Sequence, residues 1–206
     1  MKALVFSVAL AAAATVGFGA LAAEEFGIQP NMIRATFGLM GKEGMTLLSK
    51  DFKEGERIPV SLSSYGPSNS PQLTWINAPK GTKSFAVALE DGDANRDGVP
   101  ILHWLAWGIP ANVTSLPGGL PPQGSGALPK GMVMGKNIQG KTEYMGPRPP
   151  AGVSHIYHYQ VFALDKTINL PAGATRADFM KEAKDHVLAS TELDGWFTGP
   201  PAPPKS

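Results

Sequence analysis

From Gly146 to Phe162 the chain reads Gly-Pro-Arg-Pro-Pro-Ala-Gly-Val-Ser-His-Ile-Tyr-His-Tyr-Gln-Val-Phe, a proline- and glycine-rich loop feeding into an aromatic, β-branched run. Three prolines fix φ at their own positions and two glycines allow the bends between them. The loop is therefore expected to be irregular yet stiff. Side chains alternate along a strand, so His155, Tyr157 and Tyr159 are expected on one face. An imidazole and a phenol then stand beside a rigid loop that exposes backbone N–H groups, which describes a small pocket for a polar or anionic ligand.

The rest of the chain bounds what surrounds this stretch. Its 206 residues suffice for one domain with a substantial core. A formal net charge of +1 argues against a nucleic-acid partner. The 24 glycines and 19 prolines favour turns and short strands over long helices. The absence of cysteine excludes disulfides, zinc–thiolate sites and Cys nucleophiles.

Residues 1–22 read as a signal peptide. Lys2 is followed by an uncharged apolar run from Leu4 to Leu21, and Ala20-Leu21-Ala22 fits the small-x-small cleavage rule. Cleavage there makes the protein periplasmic or secreted. The alternative is an uncleaved membrane anchor, since the run approaches the ~18 residues that a span needs.

Residues 23–44 are expected to be an extended lead-in, and 45–199 a single domain without internal repeats. Met45–Ser49 and Arg57–Leu62 read as strands, the latter an edge because Pro59 cannot donate to a ladder. Ser84–Glu90 reads as a buried central strand ending in the acidic loop 91–98. Ile101–Trp107 is the next strand, with His103 expected on the face of Leu105 and Trp107. Residues 116–134 form a long Gly/Pro connection, a candidate lid or interface. Thr175-x-x-Asp178 marks a capped helix over about 175–190, and Gly195–Phe197 a last short strand. Residues 200–206 are a proline-rich tail expected to be disordered.

Four segments resemble the phosphatidylethanolamine-binding protein family, which includes the Raf kinase inhibitor proteins. They are Ser70-Pro71-x-Leu73-x-Trp75, Asp91-x-Asp93-Ala94, His103-Trp104 with Ile109-Pro110, and Gly146-Pro147-x-Pro149-Pro150-x-Gly152 with His155-x-Tyr157. The form is that of the bacterial, exported branch. Gly92 and Ile156 depart from it, standing where Pro and Arg are usual. The resemblance implies a mainly β fold: a large central sheet, a smaller packed sheet and a C-terminal helix. It also implies a conserved anion site formed by Asp91, His103 and His155, with Tyr157 beside them and Gly146 and Pro150 shaping the rim.

A carboxylate bonded to an imidazole, near loop N–H groups, suits a phosphorylated or zwitterionic head group. The expected partner is thus a small anionic or phosphorylated ligand, with no cofactor. A protein-interaction module that inhibits an enzyme or a host signalling partner is the alternative, and a homodimer remains open. His158 and His186 are expected to be structural or exposed, His186 on the helix.

Two further chemistries compete. Asp93-x-Asn95-x-Asp97-Gly98 matches the start of a calcium loop, but the twelfth position is Trp104 rather than Glu. Two histidines and Asp91 are also the ingredients of an open transition-metal site. A weak hydrolase lacks support, because no Gly-x-Ser-x-Gly elbow occurs and Ser154 points away from His155 in a strand.

Overall fold

The computed structural model describes residues 30–38 and 44–202. The expected signal peptide, most of the lead-in and the end of the tail lie outside the described residues. Twelve elements follow in chain order: α1 (Ile33–Thr36), β1 (Thr46–Leu48), β2 (Glu56–Arg57), a 3-10 turn (Val60–Leu62), β3 (Leu73–Ile76), β4 (Ser84–Arg96), β5 (Val99–Pro110), β6 (Ser115–Leu116), β7 (Val133–Met134), β8 (Ser154–Leu164), α2 (Arg176–Ala183) and β9 (Val187–Thr198).

The strands form a six-stranded sheet in the order β2-β9-β8-β4-β5-β7 and a three-stranded sheet in the order β1-β3-β6. β2 runs parallel to β9, and the other pairings are antiparallel. The expected architecture, a large sheet with a smaller one and a helix near the C-terminus, is the one observed.

The long strands are buried on both faces, and alternation sorts their side chains between two cores. Phe85, Val87 and Leu89 of β4 and Tyr159 and Val161 of β8 meet Leu47, Trp75 and Leu116 of the small sheet. Ala86, Ala88, Phe162 and Leu164 face the other way, against Ile33 of α1 and Phe179 and Ala183 of α2. Trp75 is fully buried in the first of these cores.

Several local expectations change. Arg57–Leu62 is not a strand. β2 stops at Arg57, where Pro59 offers no N–H, and a 3-10 turn follows. The acidic segment after Glu90 is strand up to Arg96, closing on β5 through a two-residue turn at Asp97-Gly98. Both turn residues have positive φ (54° and 76°), the hairpin geometry that matches strand twist. The helix ends at Ala183 rather than near 190, because Asp185 takes φ 67° and Val187 and Leu188 enter β9. His186 therefore lies in the connecting turn, with Nδ1 2.8 Å from Asp165 Oδ1. The last strand is twelve residues long, and β6 and β7 bracket the long connection at its ends.

Candidate functional site

The site sits at one end of the large sheet, where β4, β5 and β8 are adjacent. Asp91 continues the Phe85–Val87–Leu89 face and pairs in register with Tyr157. Alternation along β8 puts His155 on that same face. His103 arrives differently. Leu89 pairs with Trp104 but Glu90 pairs with Leu102, so β5 carries one extra residue there. Such a bulge re-aims side chains. His103 is consequently turned from the Leu105–Trp107 face where alternation would place it, and its ring stands edge-on to Tyr157 at 5.2 Å.

The four expected residues thus meet. His155 Nδ1 donates to Asp91 Oδ2 at 2.8 Å, and the other oxygen of Asp91 accepts from Asp93 N at 3.0 Å. The rings of His155 and Tyr157 are 6.4 Å apart. His103 Nδ1 lies 3.1 Å from Met145 O and 3.2 Å from Gly146 O. Carbonyls only accept, so this nitrogen carries the proton, and in the neutral ring Nε2 is an acceptor.

Burial pushes the His103 imidazole below its ordinary range, against the opposing pull of Asp91 and the two carbonyls. Burial and the neighbouring Asp91 carboxylate push the Tyr157 phenol well above its ordinary range, so it stays protonated. The side chains of His155 and Asp91 keep 12% and 4% of their surface exposed, so only a small group reaches them.

The rim is held by residues 64–68, a segment that none of the four motifs covers. Gly146 N donates to Ser68 Oγ at 2.8 Å, and Gly146 O accepts from Ser64 Oγ at 2.8 Å. Tyr65 donates to Pro149 O at 2.6 Å, and Arg148 N donates to the Tyr157 hydroxyl at 3.1 Å. A Cβ at position 146 would meet Leu62 O at 2.2 Å, so glycine is required there by close backbone approach. Pro150 is exposed, and its carbonyl takes Val153 N at 3.0 Å, closing the turn into β8 rather than touching the histidines. The clue to Ser64, Tyr65 and Ser68 was present in the serine-rich run before Pro71, but their partners lie some 80 residues away. Beside the loop opens a cavity of about 530 Å³, whose lining includes Ser64, Asn69, Lys141, Glu143 and Arg148.

The calcium candidates are engaged in local structure. Asp93 Oδ2 accepts from Ile156 N at 2.6 Å, where β8 runs past its ladder with β4. Asn95 Oδ1 accepts from Gly98 N at 3.3 Å, within the Asp97-Gly98 hairpin. Among the described residues, His158, Glu192 and Asp194 gather metal-ligating atoms instead. Ser154 Oγ bonds Thr198 Oγ1 at 2.6 Å, on the face away from His155.

Comparison with known proteins points the same way. Residues 48–198 match the family described as phosphatidylethanolamine-binding protein. YbhB of Escherichia coli is 36% identical over 162 residues, covering 75% of this chain and all of that one. A Mycobacterium tuberculosis protein named as a candidate lipoprotein, LppC, is 32% identical and covers 81% of this chain and 79% of its own. The crystal structure of Escherichia coli YbcL, described as a new member of the mammalian family, superposes with a TM-score of 0.71. It is 32% identical, covering 76% of this chain and 99% of that chain.

Proposed function

Because the chain belongs to the phosphatidylethanolamine-binding protein family, we propose that it binds a small phosphorylated or zwitterionic head group at Asp91, His103, His155 and Tyr157. The observation that carries this reading is the His155–Asp91 hydrogen bond set against the neutral, carbonyl-held His103. Donors and acceptors then gather at one end of the sheet. His155, whose Nδ1 is tied to Asp91, meets a phosphoryl oxygen through Nε2. His103 Nε2 and the Asp91 carboxylate accept from an ammonium group or from a protonated phosphate oxygen. The cavity beside the loop mixes Ser64, Asn69, Lys141, Glu143 and Arg148 with Leu120 and Met145, which suits a ligand whose remainder is more polar than an acyl chain.

The protein acts as a binder and not as a catalyst in this reading, since the nearest hydroxyl in the sequence, Ser154, is turned away and bonded to Thr198. It works outside the cytoplasm. The apolar run at residues 4–21 and the similarity to a candidate lipoprotein support export. No helix among the described residues is long and apolar enough to cross a membrane.

Calorimetric titration of the protein with phosphoethanolamine tests the proposal. Saturable binding, weakened at least about tenfold by His155→Ala or Asp91→Asn, is expected, which is about 1.4 kcal/mol. Binding that is indifferent to both substitutions would refute the assignment.

A further inference from the structure

On the helical side of the large sheet a second cavity opens, of about 420 Å³. None of Asp91, His103, His155 and Tyr157 lines it. The end of the β4–β5 hairpin gives Arg96, Val99, Pro100 and Leu102. The segment after β7 gives Lys136 and Ile138, and the start of α2 gives Arg176.

Backbone bonds fix these walls. Ile138 N donates to Leu102 O at 2.9 Å, and Lys136 N donates to Ala174 O at 3.1 Å. The buried Asn137 side chain accepts from Gln139 N and Lys141 N and donates to Glu143 O, which pins the loop that carries Lys136 and Ile138. A site held in this way costs a ligand little ordering.

The lining is of two kinds. Val99, Pro100, Leu102 and Ile138 make an apolar wall, on which Val99 still exposes 41% of its surface. Arg96, Lys136 and Arg176 stand around it. Arg176 is held rigidly, with Nε donating to Glu90 Oε1 at 2.9 Å and Nη2 to Asn31 O at 2.6 Å. Its Nη1 makes no hydrogen bond among the described residues. Arg96 and Lys136 have no carboxylate at ion-pair distance among the described residues. Glu90 answers Arg176, and Asp97 is the acidic side chain of the lining, so one positive charge is left over. A single carboxylate closes that balance, whereas a phosphate dianion overshoots it.

We propose that this cavity binds an amphipathic monocarboxylate of medium chain length, at a site separate from the head-group pocket. The carboxylate takes charge-assisted hydrogen bonds from Arg96, Lys136 and the uncommitted Nη1 of Arg176. The apolar body covers Val99, Pro100, Leu102 and Ile138 and removes them from water. Both halves of the ligand are needed. A neutral alcohol of equal length leaves the cations unanswered, and acetate leaves the apolar wall wet.

The test titrates octanoate into the whole chain, read by calorimetry and by backbone amide NMR shifts. Saturable binding is expected, with shifts gathered at residues 96–102 and 136–140. Octanol and acetate bind at least about tenfold more weakly. The double substitution Arg96→Gln with Lys136→Gln weakens octanoate by at least about tenfold, and His155→Ala leaves it unchanged. Arg96 and Lys136 are exposed, so these variants are expected to fold with the wild-type Tm. No saturation at millimolar octanoate overturns the proposal, as does octanol binding as tightly as octanoate. Binding lost in His155→Ala but kept in the double variant, or shifts confined to the cavity beside the rim loop, overturns it equally.

Discussion

His103 and His155 are chemically alike in the sequence and are put to different uses by their surroundings. His155 keeps contact with solvent and a carboxylate partner. His103 is buried, donates to two carbonyls and is held neutral. Its depressed folded value lies below the unfolded value of about 6.5. The stability it contributes is therefore present above that pH and lost as pH falls toward the folded value. Urea unfolding at pH 7.5 and 5.5 is expected to show a loss in the wild type that is smaller in His103→Gln. An identical pH dependence in the two proteins contradicts the assignment. That Asp91, His103, His155 and Tyr157 lie together was legible because the four motifs carried them. The orientation of His103 was not, because one extra residue in β5 reverses the alternation on which the reading rested. His158 takes the structural role, buried and hydrogen-bonded to Asp194, a partner 36 positions away that local pattern does not reveal.

At the scale of elements, the rim loop depends on backbone contact. Gly146→Ala drives a methyl group into Leu62 O and the Ser63 backbone. Overpacking of this kind costs about 1–3 kcal/mol, and here the carbonyl of the displaced residue itself, Gly146 O, also holds His103. Both chemical stability and head-group affinity are expected to fall, whereas Gly140→Ala, which has open space around its Cβ but strains a backbone at φ 76°, costs stability and leaves affinity intact. The capping box of α2 was readable from Thr175-x-x-Asp178 and is formed, with Asp178 N donating to Thr175 Oγ1 and Thr175 N to Asp178 Oδ2. Thr175→Ala should cost about 1 kcal/mol, measurable by denaturant titration, without changing ligand binding. The end of α2 was misread because Val187 and Leu188 continue an apolar helical period, while pairing with β8 claims them for β9. Such competition between local period and long-range pairing is decided only in the folded chain.

For the molecule as a whole, the decisive fact is that the large sheet is covered on both faces. The small sheet seals one side and the helical layer the other. That arrangement places the proposed head-group site at the end of one face and leaves the cluster around His158 on the opposite face, so substitutions at the two are expected to act independently. Double substitution of His155→Ala and Glu192→Gln should give additive effects on Tm. The sheet's outer strands, β2 and β7, have two residues each, which limits edge-to-edge pairing. The general architecture followed from the family motifs; the glycine and proline content pointed to short strands, whereas β4, β5, β8 and β9 run for 11 to 13 residues, and the division of side chains between two cores required the strand register.

The central claim is that the histidines flanking Tyr157 receive the head group. Histidine side-chain NMR signals followed during addition of phosphoethanolamine, in the wild type and His155→Ala, test it most directly. Saturable shifts of His103 and His155, with His158 and His186 unmoved and no response in the variant, are the predicted result. Shifts confined to His158 or His186, or no shift at millimolar ligand, would contradict it.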